Sequence, residues 1–197
     1  MPLNEDVKKK VAKKIEEYEG RTNHMYLDPK GKVTIGVGHL IVNKAAVGSI
    51  ILCITKNNVP SQIASMKEKE DEYDSILRQP TSHIASWYKR HTKLIMKKED
   101  IESLLDNHIL SFYQELTGIY QKSKGYHEDF DNFPENVQLA LFDMIFNLGA
   151  NQITKEFPGF NKALKACDWQ TAAQESNRPD VNSARNNYVK QLLTSTK

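Results

Sequence analysis

The sequence predicts a mixed α+β fold, mostly helical: a small N-terminal lobe with a β-hairpin, a long helix and a helical C-terminal lobe. Three observations carry this. Asp28-Pro29-Lys30-Gly31 is a turn signal followed by the β-branched run Val33, Thr34, Ile35 and Val37. Ile101, Leu104, Leu105, His108, Ile109, Phe112, Leu116 and Ile119 keep one stripe at helical spacing. Val137, Leu141, Phe142, Met144, Ile145, Phe146 and Leu148 are apolar nearly all round a helix, the pattern of a buried centre.

Taken in order, Leu3, Val7, Val11, Ile15 and Tyr18 recur at helical spacing among lysines and glutamates, predicting a helix over 4–18 that Gly20 ends. Residues 25–28 read as a strand, 28–31 as the turn and 32–37 as the returning strand. Gly36 and Gly38 mark a bend or a close backbone approach. Residues 43–96 are the least legible. Pro60 is read as opening a helix, with Ile63, Met66, Tyr73, Ile76 and Leu77 as its partial stripe; 79–93 reads as loop or short helix carrying Trp87, Tyr88 and Arg90. The long helix is expected over 97–120. The next starts at Asp131-Asn132-Phe133-Pro134 and stops at Asn147-Leu148-Gly149. Shorter helices follow near 159–166, 168–176 and 183–194, with Asp168 and Ser183 as caps.

At 197 residues the chain is read as one domain, 1–197, folded as lobes of about 1–95 and 96–197. The net charge of +2 is the small difference between 27 basic and 25 acidic side chains, which argues against a nucleic-acid partner. The most apolar stretch, Ala45 to Ile54, is interrupted by Gly48 and too short to span a bilayer, so no membrane insertion is expected. The N-terminal segment has charge but no apolar core behind it, so it does not read as a secretory signal. Cys53 and Cys167 lack metal-ligand spacing, and the six histidines form no ligand motif. No metal and no cofactor are therefore expected. Two free thiols are favoured over one disulfide, and a monomer is expected.

The chemistry concentrates between Glu19 and His39, in the stretch E-G-R-T-N-H-M-Y-L-D-P-K-G-K-V-T-I-G-V-G-H. One carboxylate stands at the end of a helix and a second at the mouth of a hairpin, with a threonine on the returning strand. Asp28 lies nine positions after Glu19, and Thr34 six after Asp28. Two carboxylates on separate elements are what glycoside hydrolysis needs, one to protonate the leaving oxygen and one to manage water or the developing cation. The end of a helix disfavours a negative charge, which suits a proton donor. Each residue also has an ordinary reading: Glu19 as a solvated helix-end glutamate, Asp28 as a turn residue, Thr34 as a strand former.

This stretch resembles the catalytic segment of the phage-type lysozymes, enzymes that cut the glycan strands of peptidoglycan. Glu19, Asp28 and Thr34 match the family's catalytic triad at its spacing, and the resemblance covers 1–42 well and 96–197 loosely. It implies a lysozyme-like fold in which the long helix joins the two lobes, with a cleft between them. It implies hydrolysis of the β-1,4 bond between N-acetylmuramic acid and N-acetylglucosamine, with inversion at the anomeric carbon. Glu19 would be the general acid, and Asp28 and Thr34 would handle the water. Tyr26, His39, Phe146, Asn147 and Arg185 match substrate-binding or supporting positions; Arg185 is expected to reach the catalytic glutamate from the C-terminal lobe. The family's partner carboxylate for the histidine is not at its aligned place, where His108 stands with Asp106 nearby. Compact members have a much shorter connection where this chain has 43–96. Trp87 and Tyr88 in this insertion are read either as sugar-stacking faces or, with more weight, as packing. The partners implied are glycan strands and, should the protein be a delivered antibacterial effector rather than a phage endolysin, an inhibitory immunity protein. Either role needs a route to the cell wall, by a holin-type pore or a secretion machine. A binding module on the same fold is the alternative.

Overall fold

The computed structural model describes residues 2–56 and 59–196. Helix α1, Glu5–Glu19, begins where Asn4 accepts hydrogen bonds from the backbone N–H groups of Asp6 and Val7, and it buries Val7, Val11 and Ile15. Strand β1, Thr22–Leu27, pairs antiparallel with β2, Val33–Gly36, matching Tyr26 with Thr34 and Leu27 with Val33. The turn between them is closed by Gly31, whose φ of +73° favours glycine. A two-residue strand β3, His39–Leu40, extends this sheet beside β2 and was too short to leave a periodic signal.

The middle segment corrects one expectation. Pro60 does not open a helix. It lies in β5, Val59–Ile63, which pairs with β4, Cys53–Lys56, and forms one edge of a second sheet ordered β5-β4-β6 once β6, Leu94–Ile95, is added. Proline is tolerated on an edge strand because the missing N–H weakens no interior ladder. The helix starts later, as α2, Met66–Leu77. Ser65 caps it by accepting from the Glu68 N–H while the Glu68 carboxylate accepts from the Ser65 N–H. Of the expected stripe, Tyr73 and Ile76 are buried, while Ile63 lies outside the helix and is exposed. Helix α3, Ala85–Tyr88, and a 3-10 turn at Lys89–His91 fill the region read as loop or short helix.

Helix α4, Lys98–Ile119, is the long helix, with Ile101, Leu105, Ile109, Tyr113 and Leu116 buried. Helix α5, Glu135–Lys155, leaves helical geometry at Gly149, the expected end, and then resumes. It is followed by α6, Pro158–Lys165, α7, Trp169–Glu175, and α8, Ser183–Thr194. Asp168 caps α7 as expected, but α8 is capped by Asn182 rather than Ser183.

The chain divides into two compact units, residues 19–107 and residues 1–18 with 108–197. In the first, α2 and α3 pack on β1 beside the hairpin. In the second, α5 packs against α8, and α6 and α7 complete the helical layer. The aromatic rings of Tyr113, Phe130 and Phe142 meet edge to face in its core, as do those of Tyr120 and Tyr126. Cys53 and Cys167 are free thiols. Among the described residues no helix is long and apolar enough to cross a membrane.

Candidate active site

Glu19 is the last residue of α1, and Gly20, with φ of +72°, turns the chain into β1. Gly38 passes close to the Glu19 side chain: a Cβ placed on Gly38 would lie 3.3 Å from both Cγ and Oε2 of Glu19. The φ of Gly38 is +66°, so conformation and space both call for glycine there. The T-I-G-V-G-H stretch thus brings its second glycine against the carboxylate at the end of α1.

Asp28 sits at the head of the turn. Its Oδ1 accepts from the backbone N–H groups of Lys30 at 2.9 Å and Lys32 at 2.8 Å, and its own N–H donates to the Lys32 carbonyl. The turn is therefore built on one carboxylate oxygen. Thr34, paired across the sheet with Tyr26, is buried, and its hydroxyl donates to the Lys32 carbonyl at 3.2 Å. That bond uses the proton and leaves the oxygen as an acceptor. The Tyr26 phenol is pushed up to about 12, first by burial and then by the negative charges of Glu19 and Asp28. One ring thus feels both carboxylates, which links helix end and turn electrostatically. His39, half-buried in β3, lies opposite Ile35.

The other expected residues lie in the helical unit. Arg185 is buried, its Nε donates to Asp143 Oδ1 at 2.9 Å, and its guanidinium stands 4.7 Å from the Tyr18 ring and 5.7 Å from that of Phe146. Phe146 is half-buried and edge-on to Phe112. Asn147 accepts at Oδ1 from Arg178 at 2.6 Å. Arg178 was not singled out from the sequence, although it is 1% exposed and also donates to Asp143 Oδ2 at 2.8 Å. Nothing local marks it, since its carboxylate partner lies 35 positions away. His108, on α4, is pushed down by burial, so it favours the neutral ring and does not stand in for a carboxylate. Of the two aromatics in the insertion, Tyr88 is fully buried and donates to the Pro80 carbonyl, which makes it packing. The half-buried Trp87 is stacked on His83, with ring centres 3.9 Å apart. Among the described residues no group of three or more His, Cys, Asp or Glu is placed to hold a metal ion.

A helix-end glutamate, Glu19, and a hairpin carrying Asp28 and Thr34 stand in a mostly helical α+β chain. The family model for phage lysozyme matches residues 16–194, and the chain belongs to that family. It is also similar to a probable T4-type lysozyme 2 of Dictyostelium discoideum, with 27% identity over 160 residues, covering 80% of this chain and 75% of that one. At the level of the family, this places the protein among glycoside hydrolases that act on peptidoglycan.

Proposed function

We propose that this protein hydrolyses the β-1,4 bond between N-acetylmuramic acid and N-acetylglucosamine in peptidoglycan glycan strands, leading to cell lysis. The observation that carries this reading is the placement of Glu19, Asp28 and Thr34 in one compact unit, with the Tyr26 phenol under the influence of both carboxylates. Glu19 is the general acid, donating a proton to the glycosidic oxygen as the bond to the anomeric carbon breaks. Asp28 uses Oδ1 to build the turn, and its carboxylate orients the attacking water, accepts the proton that the water loses and stabilises the oxocarbenium-like transition state. Thr34, whose hydroxyl oxygen remains an acceptor, holds that water. The outcome is inversion. Gly38 lets the backbone pass beside Glu19 without displacing it. Within the helical unit, Asp143 holds Arg185 and Arg178 holds Asn147.

Clearing of a peptidoglycan suspension tests the reading. Wild-type protein should clear it, and Glu19→Gln, which keeps the side chain's shape without a proton to give, should be slower by at least ~10²-fold. Retention on peptidoglycan without clearing by the wild type would instead mark a binding module.

A further inference from the structure

The segment 43–96 contains a second polar site, within the unit of residues 19–107. A cleft of about 340 Å³ opens between α2, β4 and β6. Four residues of α2 face it, Glu68, Asp71, Glu72 and Ser75, at the spacing of one helical face. Ile54 and Leu94 supply apolar walls, and His91 and Lys93 close the remaining side.

Glu72 is the unusual member. It is only 7% exposed. Its Oε2 accepts from the backbone N–H groups of Lys93 at 2.5 Å and Leu94 at 3.0 Å, so the carboxylate is held against β6. Its Oε1 is buried with no hydrogen-bond partner, and so is His91 Nε2. Buried carboxylate oxygens without partners are costly and uncommon. Both orphaned atoms belong to residues that line the same cleft, and both are acceptors when the histidine carries its proton on Nδ1.

The groups around them select the complement. Three carboxylates face the ammonium of Lys93, with Lys67 paired to Asp71 from outside the cleft, a balance that disfavours an anion. An unpartnered carboxylate oxygen disfavours a purely apolar guest. Among the described residues no grouping suits a metal ion. A primary ammonium has three donors and no acceptor, and a short methylene chain behind it matches the Ile54 and Leu94 walls.

We propose that this cleft is a binding site for a primary ammonium group carried on a short alkyl chain, with Glu72 Oε1 and His91 Nε2 as its acceptors. The chemistry is that of a lysine-type side chain on a peptide or of a free diamine. Binding requires no hydrolysis, so the site stands independently of the activity proposed above. Burial raises the Glu72 carboxyl to about 7, with the two backbone N–H groups and the Lys93 charge pulling the other way. The ammonium therefore competes with a proton: binding strengthens as pH rises through 7, with Glu68 and Asp71 on α2 adding attraction and Lys93 opposing it.

Titration of the full chain by calorimetry or by NMR with Nα-acetyl-lysine amide, cadaverine and Nα-acetyl-norleucine amide tests this. The two amines should bind at pH 8, and the norleucine probe, equal in chain length but uncharged, should not. Glu72→Gln keeps an oxygen for the Lys93 and Leu94 N–H groups and should weaken binding about tenfold or more. Lowering the pH from 8 to 6 should weaken binding to the wild type, a readout that needs no variant. Preference for the lysine probe assigns the site to peptide-borne amines, and preference for cadaverine assigns it to free diamines. The proposal is overturned if the wild type binds neither amine up to about 50 mM. It is equally overturned if the norleucine probe binds as well as the amines, if Glu72→Gln binds them unchanged, or if affinity does not fall with pH.

Discussion

At the residue scale, two side chains owe their behaviour to what surrounds them. Glu19 has a glycine pressed against it, so Gly38→Ala should act twice. The positive φ costs an alanine about 1 kcal/mol in stability, and the new methyl, 3.3 Å from Glu19 Cγ and Oε2, must move the carboxylate. Clearing activity should fall roughly tenfold to a hundredfold, more than the shift in denaturation midpoint accounts for; a purely structural role would lower stability and leave the folded fraction fully active. Glu72 makes a pH prediction. Its folded value, about 7, lies above the ordinary 4.5, so the folded state holds a proton that the unfolded chain has already lost. Stability from this group is therefore intact below pH 4.5, falls as pH rises toward 7, and by pH 8 is lower by up to about 3 kcal/mol. Glu72→Gln removes the penalty. Its unfolding free energy should match wild type at pH 4 and exceed it at pH 8, as denaturant titrations at the two pH values will show.

At the element scale, the legible parts were those whose signals are local. The hairpin could be read because Asp28 and Gly31 define its turn within four residues, and the candidate site because Glu19, Asp28 and Thr34 lie close together on the chain. The sheet of β4, β5 and β6 escaped notice because its strands are short, one is continuous with the apolar run ending at Ile54, and Pro60 suggested a helix start. The stronger start signal was Ser65 with Glu68, a reciprocal cap that outweighs a lone proline. Arg178 and Asp143 were illegible for the opposite reason: their pairing exists only after α5 and the segment before α8 are brought together. Burial also settles the role of Tyr88 on α3. Tyr88 is fully enclosed with its hydroxyl satisfied, so Tyr88→Ala should cost about 3–5 kcal/mol by chemical denaturation, on the scale of large-to-small changes at buried aromatics. A loss below 1 kcal/mol with altered glycan affinity would restore the sugar-stacking reading.

At the scale of the whole molecule, each compact unit carries its own organising polar feature. The unit of residues 19–107 has the helix-end glutamate, the hairpin and the acidic cleft. The other, residues 1–18 with 108–197, is centred on Asp143, which is 3% exposed and binds both Arg178 and Arg185. Removing the carboxylate would leave two buried guanidinium groups facing one another. Asp143→Ala should therefore destabilise the protein by about 3–5 kcal/mol, the cost of breaking a buried ion pair from one side, measured as a fall in the urea midpoint.

As the proposed general acid, Glu19 donates the proton that breaks one defined glycosidic bond. The most direct test is chemical identification of the new reducing ends after digestion of purified peptidoglycan, by borohydride reduction and mass spectrometry, for wild type and Glu19→Gln side by side. N-acetylmuramic acid should appear at the new reducing ends with the wild type, and release should be at least ~10²-fold slower with a folded Glu19→Gln. New ends carrying N-acetylglucosamine, or equal rates from the two proteins, would contradict that role.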